Sequence, residues 1–484
     1  MSSRTDTPRS SPWTVALGVT LAVAAALRVL GLNSGLWYDE IVTLVSSVRL
    51  PLFEIVTDTP GINAHPLYSV LAHASIAAFG ESAWTLRLPA CVFGIASVWM
   101  AYVLGSRLTS RTEAWAGAAI LATSYHHIWF SQNARGYTML GFLALYSTHL
   151  LLRALESRRT RDYVLYALAC AAGVYTHLTM GFVVAGQAVA LVAFRLVGRG
   201  KEEILPLKPV MWAWAGAAVL TALAYAPFAA DLMAYLGGDG PRQGAKIATS
   251  RWAVAEALRS LLFGTGVPAV LALAAVTVVG AISLIRHAPL AVALLVMPAV
   301  VTAAAIVLLG QPFRPRFFFF LSGATAIFVG RGIGAVVGRI SRSPSAAREP
   351  AGAIVVVTCV LIAVSAIALP RNYRVPKQDF ERAVVFLAHE ESTGVRIAAA
   401  GLACFPIGRY FGKAEWPCLE SVSDLQALTA GLAPVRVMYT LVDYTEDQEL
   451  RHELRESCPV VRTFPGTLGD GEVVVCAPRQ REPR

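Results

Sequence analysis

Two carboxylates stand side by side at Asp39 and Glu40, directly after an aromatic pair, Trp37 and Tyr38, at the end of the chain's first long apolar run. An ionised group beside hydrocarbon is costly and usually marks a pathway or a reactive site. The plainer reading makes the aromatics an interfacial belt and Asp39 a helix cap. Further polar groups favour chemistry. The same segment holds Asn63 and His65, in Asn63-Ala64-His65-Pro66-Leu67-Tyr68, and a second reads Gln132-Asn133-Ala134-Arg135-Gly136-Tyr137. His177 and the pair Arg314 and Arg316 fall in two more segments between apolar runs. Guanidiniums hold a lipid-linked phosphate by paired hydrogen bonds, while a carboxylate takes the proton of an acceptor hydroxyl attacking the attached sugar carbon. The phosphate departs with negative charge that Arg135, Arg314 or Arg316 stabilises. The competing role of each arginine is snorkelling to lipid headgroups.

The histidines raise the question of a metal. His65, His126, His127 and His177 show no HxxxH or HExxH spacing that sets two ligands on one helix face. No metal site is expected, and a divalent cation stands as the weaker alternative. There is no Walker loop or Rossmann glycine signature, so no nucleotide cofactor is expected. Gly330-Arg331-Gly332-Ile333-Gly334 ends an apolar run, where glycines serve close helix packing.

These residues need a scaffold, and composition defines it. Of 484 residues 56% are hydrophobic and 15% charged, with a mean hydropathy of +0.56, against about 25% charged in soluble proteins. The net charge of +10 does not point to nucleic acid, because the Lys and Arg form short clusters between apolar runs. The first run, Trp13 to Leu32, lacks a small-residue cleavage site and reads as a retained helix. Eleven membrane helices are expected, at about 13–32, 86–105, 114–130, 137–152, 162–176, 179–197, 210–230, 265–285, 289–309, 317–337 and 351–369.

Basic clusters recur at every second loop: Arg4 and Arg9; Arg107 and Arg111; Arg153 to Arg161; Arg195 to Lys208; Arg286; Arg339 to Arg348. The positive-inside rule makes these cytoplasmic. Segments 33–85, 125–136, 176–178, 231–262, 310–316 and all beyond Leu369 then lie outside. Pro66 to Gly80 is too short to span and reads as a surface helix. Residues 1–12 form a cytoplasmic tail, 13–370 a membrane domain with a long first external loop at 33–85, and 371–484 an extracytoplasmic α/β domain. In that last part Val395–Ala400, Val435–Leu441 and Glu472–Cys476 read as strands, and Asp379–His389, Ser423–Leu432 and Asp447–Glu456 as helices. Cys404, Cys418, Cys458 and Cys476 permit two disulfides in three pairings; Cys91, Cys170 and Cys359 lie in spans as small buried residues.

The sequence resembles membrane glycosyltransferases of the GT-C fold, specifically glycosyltransferase family 39, related to protein O-mannosyltransferases and aminoarabinose transferases. The resemblance is carried by Trp37-Tyr38-Asp39-Glu40, His65-Pro66-Leu67-Tyr68, Arg87-Leu88-Pro89, Gln132 to Tyr137 and Arg314-Pro315-Arg316-Phe317, over most of 15–340. It implies a polyprenyl-phosphate sugar donor, a lipid, glycan or protein acceptor, and an inverting transfer on the outer face of the cell membrane. Asp39 and Glu40 would be the catalytic pair, with Asp39 as the base, and Tyr38, Asn63, His65, Gln132, Arg135, Tyr137, His177, Arg314 and Arg316 would bind substrate. Many relatives carry acidic residues just before the His-Pro and in the second loop; here those places read Asn63-Ala64 and Gln132 to Arg135. A transporter or flippase of lipid-linked sugars is the alternative, expected to bind near the bilayer midplane and to show internal repeats; a scaffold without activity would not need Asp39.

Overall fold

The computed structural model of the chain describes residues 12–57, 65–197, 206–234, 267–310, 314–340, 351–430, 433–469 and 471–479. In chain order the first helices are α1 (Pro12–Val29), α2 (Tyr38–Thr43), α3 (Leu52–Thr57), α4 (Pro66–Phe79), α5 (Ala83–Leu108), α6 (Arg111–Thr123), α7 (Tyr125–Ser131), α8 (Tyr137–Ser157), α9 (Thr160–Thr176), α10 (Thr179–Val197), α11 (Leu207–Tyr225) and α12 (Ala229–Ala234). Helices Val267–Ile285, Pro289–Leu308, Ser322–Ile340 and Ala351–Ala366 follow.

Among the described residues eight helices are long and apolar enough to cross a membrane, and the protein is a multi-pass membrane protein. Helices occupy all eleven expected places, but three fall short of that length or composition. The run expected at 114–130 is broken at Ser124, whose extended backbone (ψ 122°) ends α6 while its Oγ accepts the His127 N–H at 3.4 Å to begin α7. α9 has 17 residues. The helix Val267–Ile285 has its apolar part described from Val270 onward. Pro66–Phe79 is a 14-residue helix, as its length suggested.

Contacts divide the chain into two compact units: residues 1–30, 56–71 and 87–369, and residues 31–55, 72–86 and 370–484. The first is a helical bundle. α6 and Ser322–Ile340 pack backbone to backbone, since a Cβ on Gly117 would collide with the Ala326 carbonyl oxygen and one on Gly330 with that of Glu113. The glycine-rich stretch thus serves helix packing. Between them Arg331 holds the buried Glu113 at 2.9 Å and donates to Ser283 Oγ at 3.1 Å. Deeper in the bundle, Gln187 of α10 donates to Ser147 and Thr148 of α8 and accepts from Tyr166 of α9, which accepts from Trp214 of α11. Four helices are joined without an ionised group.

The second unit contains a five-stranded sheet with order β2-β1-β3-β5-β4, formed by β1 (Arg396–Gly401), β2 (Cys418–Leu419), β3 (Val435–Thr440), β4 (Val460–Phe464) and β5 (Val473–Cys476). β1 runs parallel to β2 and β3, whereas β5 is antiparallel to β3 and β4. Three strands match the expected ones; β2 and β4 were not foreseen. The disulfides pair Cys404 with Cys418 and Cys458 with Cys476. Each ties neighbouring elements: a short helix, Cys404–Arg409, to β2, and the end of the Gln448–Ser457 helical segment to β5. In the same unit Arg49 forms a two-toothed ion pair with Glu81 at 2.7 and 3.0 Å, and His73 Nδ1 lies 2.9 Å from the Val48 carbonyl.

Candidate active site

In the bundle unit a polar cluster forms where four helix ends meet. Gly136 is the N-cap of α8, His177 the C-cap of α9, His65 immediately precedes α4, and Arg316 lies in the 3-10 turn Pro315–Leu321 before Ser322–Ile340. The His65 and His177 rings are 4.9 Å apart, and Tyr137 stands 5.4 Å from the first and 5.5 Å from the second. His177 also faces Phe317 at 6.4 Å. Gly136 makes this approach possible: a Cβ there would lie 2.8 Å from Thr176 Cγ2 and 3.0 Å from His65 Nδ1.

The backbone sets both histidine tautomers. His65 Nδ1 lies 3.1 Å from the Thr176 carbonyl, which can only accept, so Nδ1 carries the proton and Nε2 is left as an acceptor. His177 Nδ1 accepts the Thr179 N–H at 3.1 Å, so its proton sits on Nε2 as a donor. Burial, with the charges of Arg135 and Arg316, holds the His177 imidazole down at about 3. His65 is lowered in the same direction by burial, then by Arg135, His177 and Arg316. Two neutral imidazoles, one accepting and one donating, therefore lie in the field of two guanidiniums.

Arg135 itself is 5% exposed. A buried guanidinium is costly unless its donors are met, and it is well suited to hold phosphate oxygens in its planar fork. The segment that presents it is fastened by Gln132, whose amide donates to the carbonyls of Arg28 at 3.0 Å and of Leu30 at the end of α1. Gln132, expected to touch substrate, thus caps α1. Arg28, unforeseen among the site residues, is fully buried and reaches the other way. Its guanidinium donates to Ala122 O at 2.9 Å, to Ser131 Oγ at 3.1 Å and to His127 Nδ1 at 2.8 Å. The Ala122 carbonyl is one that the break at Ser124 leaves without a helical partner. A charged residue inside the apolar run 13–32 was the signal that could have found Arg28.

Arg314 is half-buried at the N-cap of the 3-10 turn. Asn63 lies outside the described residues, as do Gln311 to Phe313. Among the described residues no group of three or more His, Cys, Asp or Glu is arranged to hold a metal ion. His127 Nδ1 is taken by Arg28, which leaves that nitrogen no lone pair for a cation.

Tyr38, Asp39 and Glu40 belong to the second unit and form the first turn of α2. Glu40 is fully buried, and its Oε2 accepts the Trp37 N–H at 3.3 Å, the reach-back of a capping box. Asp39 is half-exposed, with its backbone carbonyl accepting the Thr43 hydroxyl at 2.8 Å. The Tyr38 phenol is raised by burial and by the Asp39 charge. The two carboxylates are thus unequal: Glu40 is buried and accepts at the helix cap, while Asp39 is half-exposed.

Residues 58–237 match the family model of dolichyl-phosphate-mannose-protein mannosyltransferase. No curated protein sequence matches the chain. Among solved structures, ArnT from Cupriavidus metallidurans in the apo state superposes with a TM-score of 0.53 at 13% identity, covering 96% of this chain and 97% of that one. The same enzyme bound to undecaprenyl phosphate gives 0.51 at 15%, covering 96% and 98%. The Archaeoglobus fulgidus oligosaccharyltransferase complex with zinc and sulfate gives 0.52 at 12%, covering 92% and 71%. Identities this low carry the fold and no more. The chain is a multi-pass membrane protein with the GT-C fold of glycosyltransferases, and its residues 58–237 match the family 39 type among them.

Proposed function

We propose that the protein transfers a sugar from a polyprenyl-phosphate donor to an acceptor hydroxyl on the outer face of the membrane, by a single inverting displacement with Asp39 as base. The observation that carries this reading is the cluster of buried His65, Arg135 and Tyr137 with half-buried His177 and Arg316, where cationic and neutral hydrogen-bonding groups converge at helix ends. The solved structure of ArnT with undecaprenyl phosphate, on the same fold, supports a lipid phosphate as the leaving group. The charge pattern of the loops supports the outer face. Position at helix ends weighs against a transporter, whose binding groups sit near the bilayer midplane.

In this mechanism the acceptor hydroxyl gives its proton to Asp39 as its oxygen bonds to the sugar C1. The C1–O bond to phosphate breaks, and its electron pair leaves with the lipid phosphate. Arg135 and Arg316 stabilise the growing negative charge, and His177 Nε2–H adds a neutral donor. Asp39 is the half-exposed carboxylate of the pair, whereas Glu40 is buried and accepts the Trp37 N–H.

The test is incubation of the purified protein with a panel of polyprenyl-phosphate sugars, each with lipid, glycan and protein acceptors bearing a free hydroxyl, while measuring release of lipid phosphate. Release by the wild type and its loss in Asp39→Asn support the reading. Release that Asp39→Asn leaves intact would remove Asp39 as the base, and no release from any donor would remove the transferase.

A further inference from the structure

In the second unit a single buried side chain links the start of α2 to the central strand of the sheet. Gln378 is 1% exposed, and both ends of its amide are used. Its Oε1 accepts the Tyr38 N–H at 2.9 Å, and its Nε2 donates to Thr440 Oγ1, also at 2.9 Å. Thr440 is the last residue of β3 and pairs in register with Gly401 of β1. Tyr38 N–H is one of the first-turn donors that a helix cannot satisfy internally. Glu40 serves the amide before it, and Gln378, 340 residues away, serves this one.

Other contacts press on the same turn. A Cβ on Gly35 would lie 2.9 Å from the carboxyl carbon of Glu381, so the chain entering α2 runs hard against the helix Phe380–Ser392. The helix Cys404–Arg409 packs on α2 and is tied by its disulfide to β2. The terminal sheet is thereby a frame on which this turn is built.

We propose that Gln378 is a positioning residue for Asp39: the amide bridge from Thr440 to Tyr38 N–H fixes the first turn of α2, and with it the direction of the Asp39 carboxylate. The inference rests on the reading of Asp39 as base. It assigns the terminal domain a part in the reaction without any of its own residues touching substrate. Among the described residues both ends of this buried amide are spent on these two hydrogen bonds, and an apolar side chain of the same volume would fill the space but leave the Tyr38 N–H without its acceptor. Small errors in the aim of a reacting group lower turnover strongly, by up to about 100-fold for a displacement of about 1 Å.

The experiment uses the full-length protein and three variants, Gln378→Met, Gln378→Glu and Thr440→Val, each checked for a monodisperse profile in detergent. Two readouts are taken: hydrogen exchange of segment 36–43, and kcat and KM for release of lipid phosphate from whichever donor of the panel is turned over. Gln378→Met is expected to speed exchange in segment 36–43 and lower kcat about 10- to 100-fold, with KM for the donor within about twofold. Gln378→Glu keeps an acceptor for Tyr38 N–H, and the Thr440 hydroxyl can turn to donate to it, so kcat should recover. Thr440→Val should lower kcat in the same direction, and combined with Gln378→Met it should add little. Unchanged kcat in a folded Gln378→Met, a loss confined to KM, or a Gln378→Glu as poor as Gln378→Met would overturn the proposal. If Gln378→Met does not fold, Thr440→Val with unchanged kcat and exchange does so instead. Asp39→Asn measured alongside separates the two ideas: an active Asp39→Asn sinks the base and this inference with it, whereas an inactive Asp39→Asn beside a fully active Gln378→Met sinks positioning alone.

Discussion

The Gln132 side chain holds the backbone of Arg28, while the Arg28 side chain holds the backbone of α6 at Ala122. The Arg28 side chain, from the last turn of α1, donates to the Ala122 carbonyl at the end of α6, while the Gln132 side chain, just past α7, donates back to the Arg28 carbonyl at 3.0 Å. Each satisfies carbonyls that a helix end leaves open. The clamp fixes α1 against the α6–α7 break and so fixes the segment from Gln132 to Tyr137, in which Arg135 lies three residues on.

Arg28→Met therefore should do more than remove a charge. It leaves the Ala122 carbonyl, Ser131 Oγ and His127 Nδ1 without that donor in a buried site, at about 1–3 kcal/mol for each group left unsatisfied. Arg28→Lys should rescue little, because one ammonium cannot reproduce the planar fork that reaches all three. The check is thermal unfolding in detergent together with a double mutant: Arg28→Met and Gln132→Leu should be less than additive. Strict additivity would show that the two residues act separately.

Gly136→Ala tests the close approach of α8 to His65. The added methyl would sit 2.8 Å from Thr176 Cγ2 and 3.0 Å from His65 Nδ1, closer than packed atoms tolerate. Overpacking of this sort costs about 1–3 kcal/mol. We expect a lower melting temperature and a loss of donor turnover; a variant with wild-type values for both would mean that the helix ends have room to part.

Much of this was legible in the sequence where polarity interrupts apolar runs. The eleven helical places, the short α4, and Arg135 and His177 between helices all follow from where hydropathy breaks. Ser124 was legible only in retrospect: Tyr125 to Phe130 is apolar enough to continue a span, so the local N-cap signal of Ser124 lost to the longer hydrophobic pattern. β4 escaped because Arg462 interrupts it and its exposed edge position demands no apolar alternation. The tie between Tyr38 and Gln378 was out of reach, since no local pattern reports a hydrogen bond across 340 residues.

The neutral histidines predict an acid sensitivity with a defined sign. His177 titrates at about 3 in the folded protein, against about 6.5 in an unfolded chain. Between these values the unfolded state binds the extra proton, so stability rises with pH across the window and is lost as pH falls from about 6.5 toward 3. His65, lowered in the same direction, adds to the effect. His177→Asn keeps an acceptor for the Thr179 N–H but does not titrate. Its unfolding free energy should fall less steeply with acid, the difference approaching about 1.4 kcal/mol per pH unit. Parallel wild-type and variant curves between pH 6.5 and 4 would count against a neutral His177.

The unequal carboxylates of α2 give the last prediction. Glu40 reaches back to the Trp37 N–H and is buried, so its task in the cap needs an acceptor and not a charge. Glutamine serves at that helix position as well as glutamate does. Glu40→Gln should keep most of its stability and turnover, whereas Glu40→Ala should lose about 1 kcal/mol from the cap. Asp39→Asn should behave in the opposite way, with little change in unfolding and a loss of about 10²- to 10⁴-fold in lipid phosphate release, the range expected when a general base is removed. The pair is decided by kcat in the two amide variants. Equal losses would mean that both carboxylates take part in the reaction, and a larger loss in Glu40→Gln would exchange their roles.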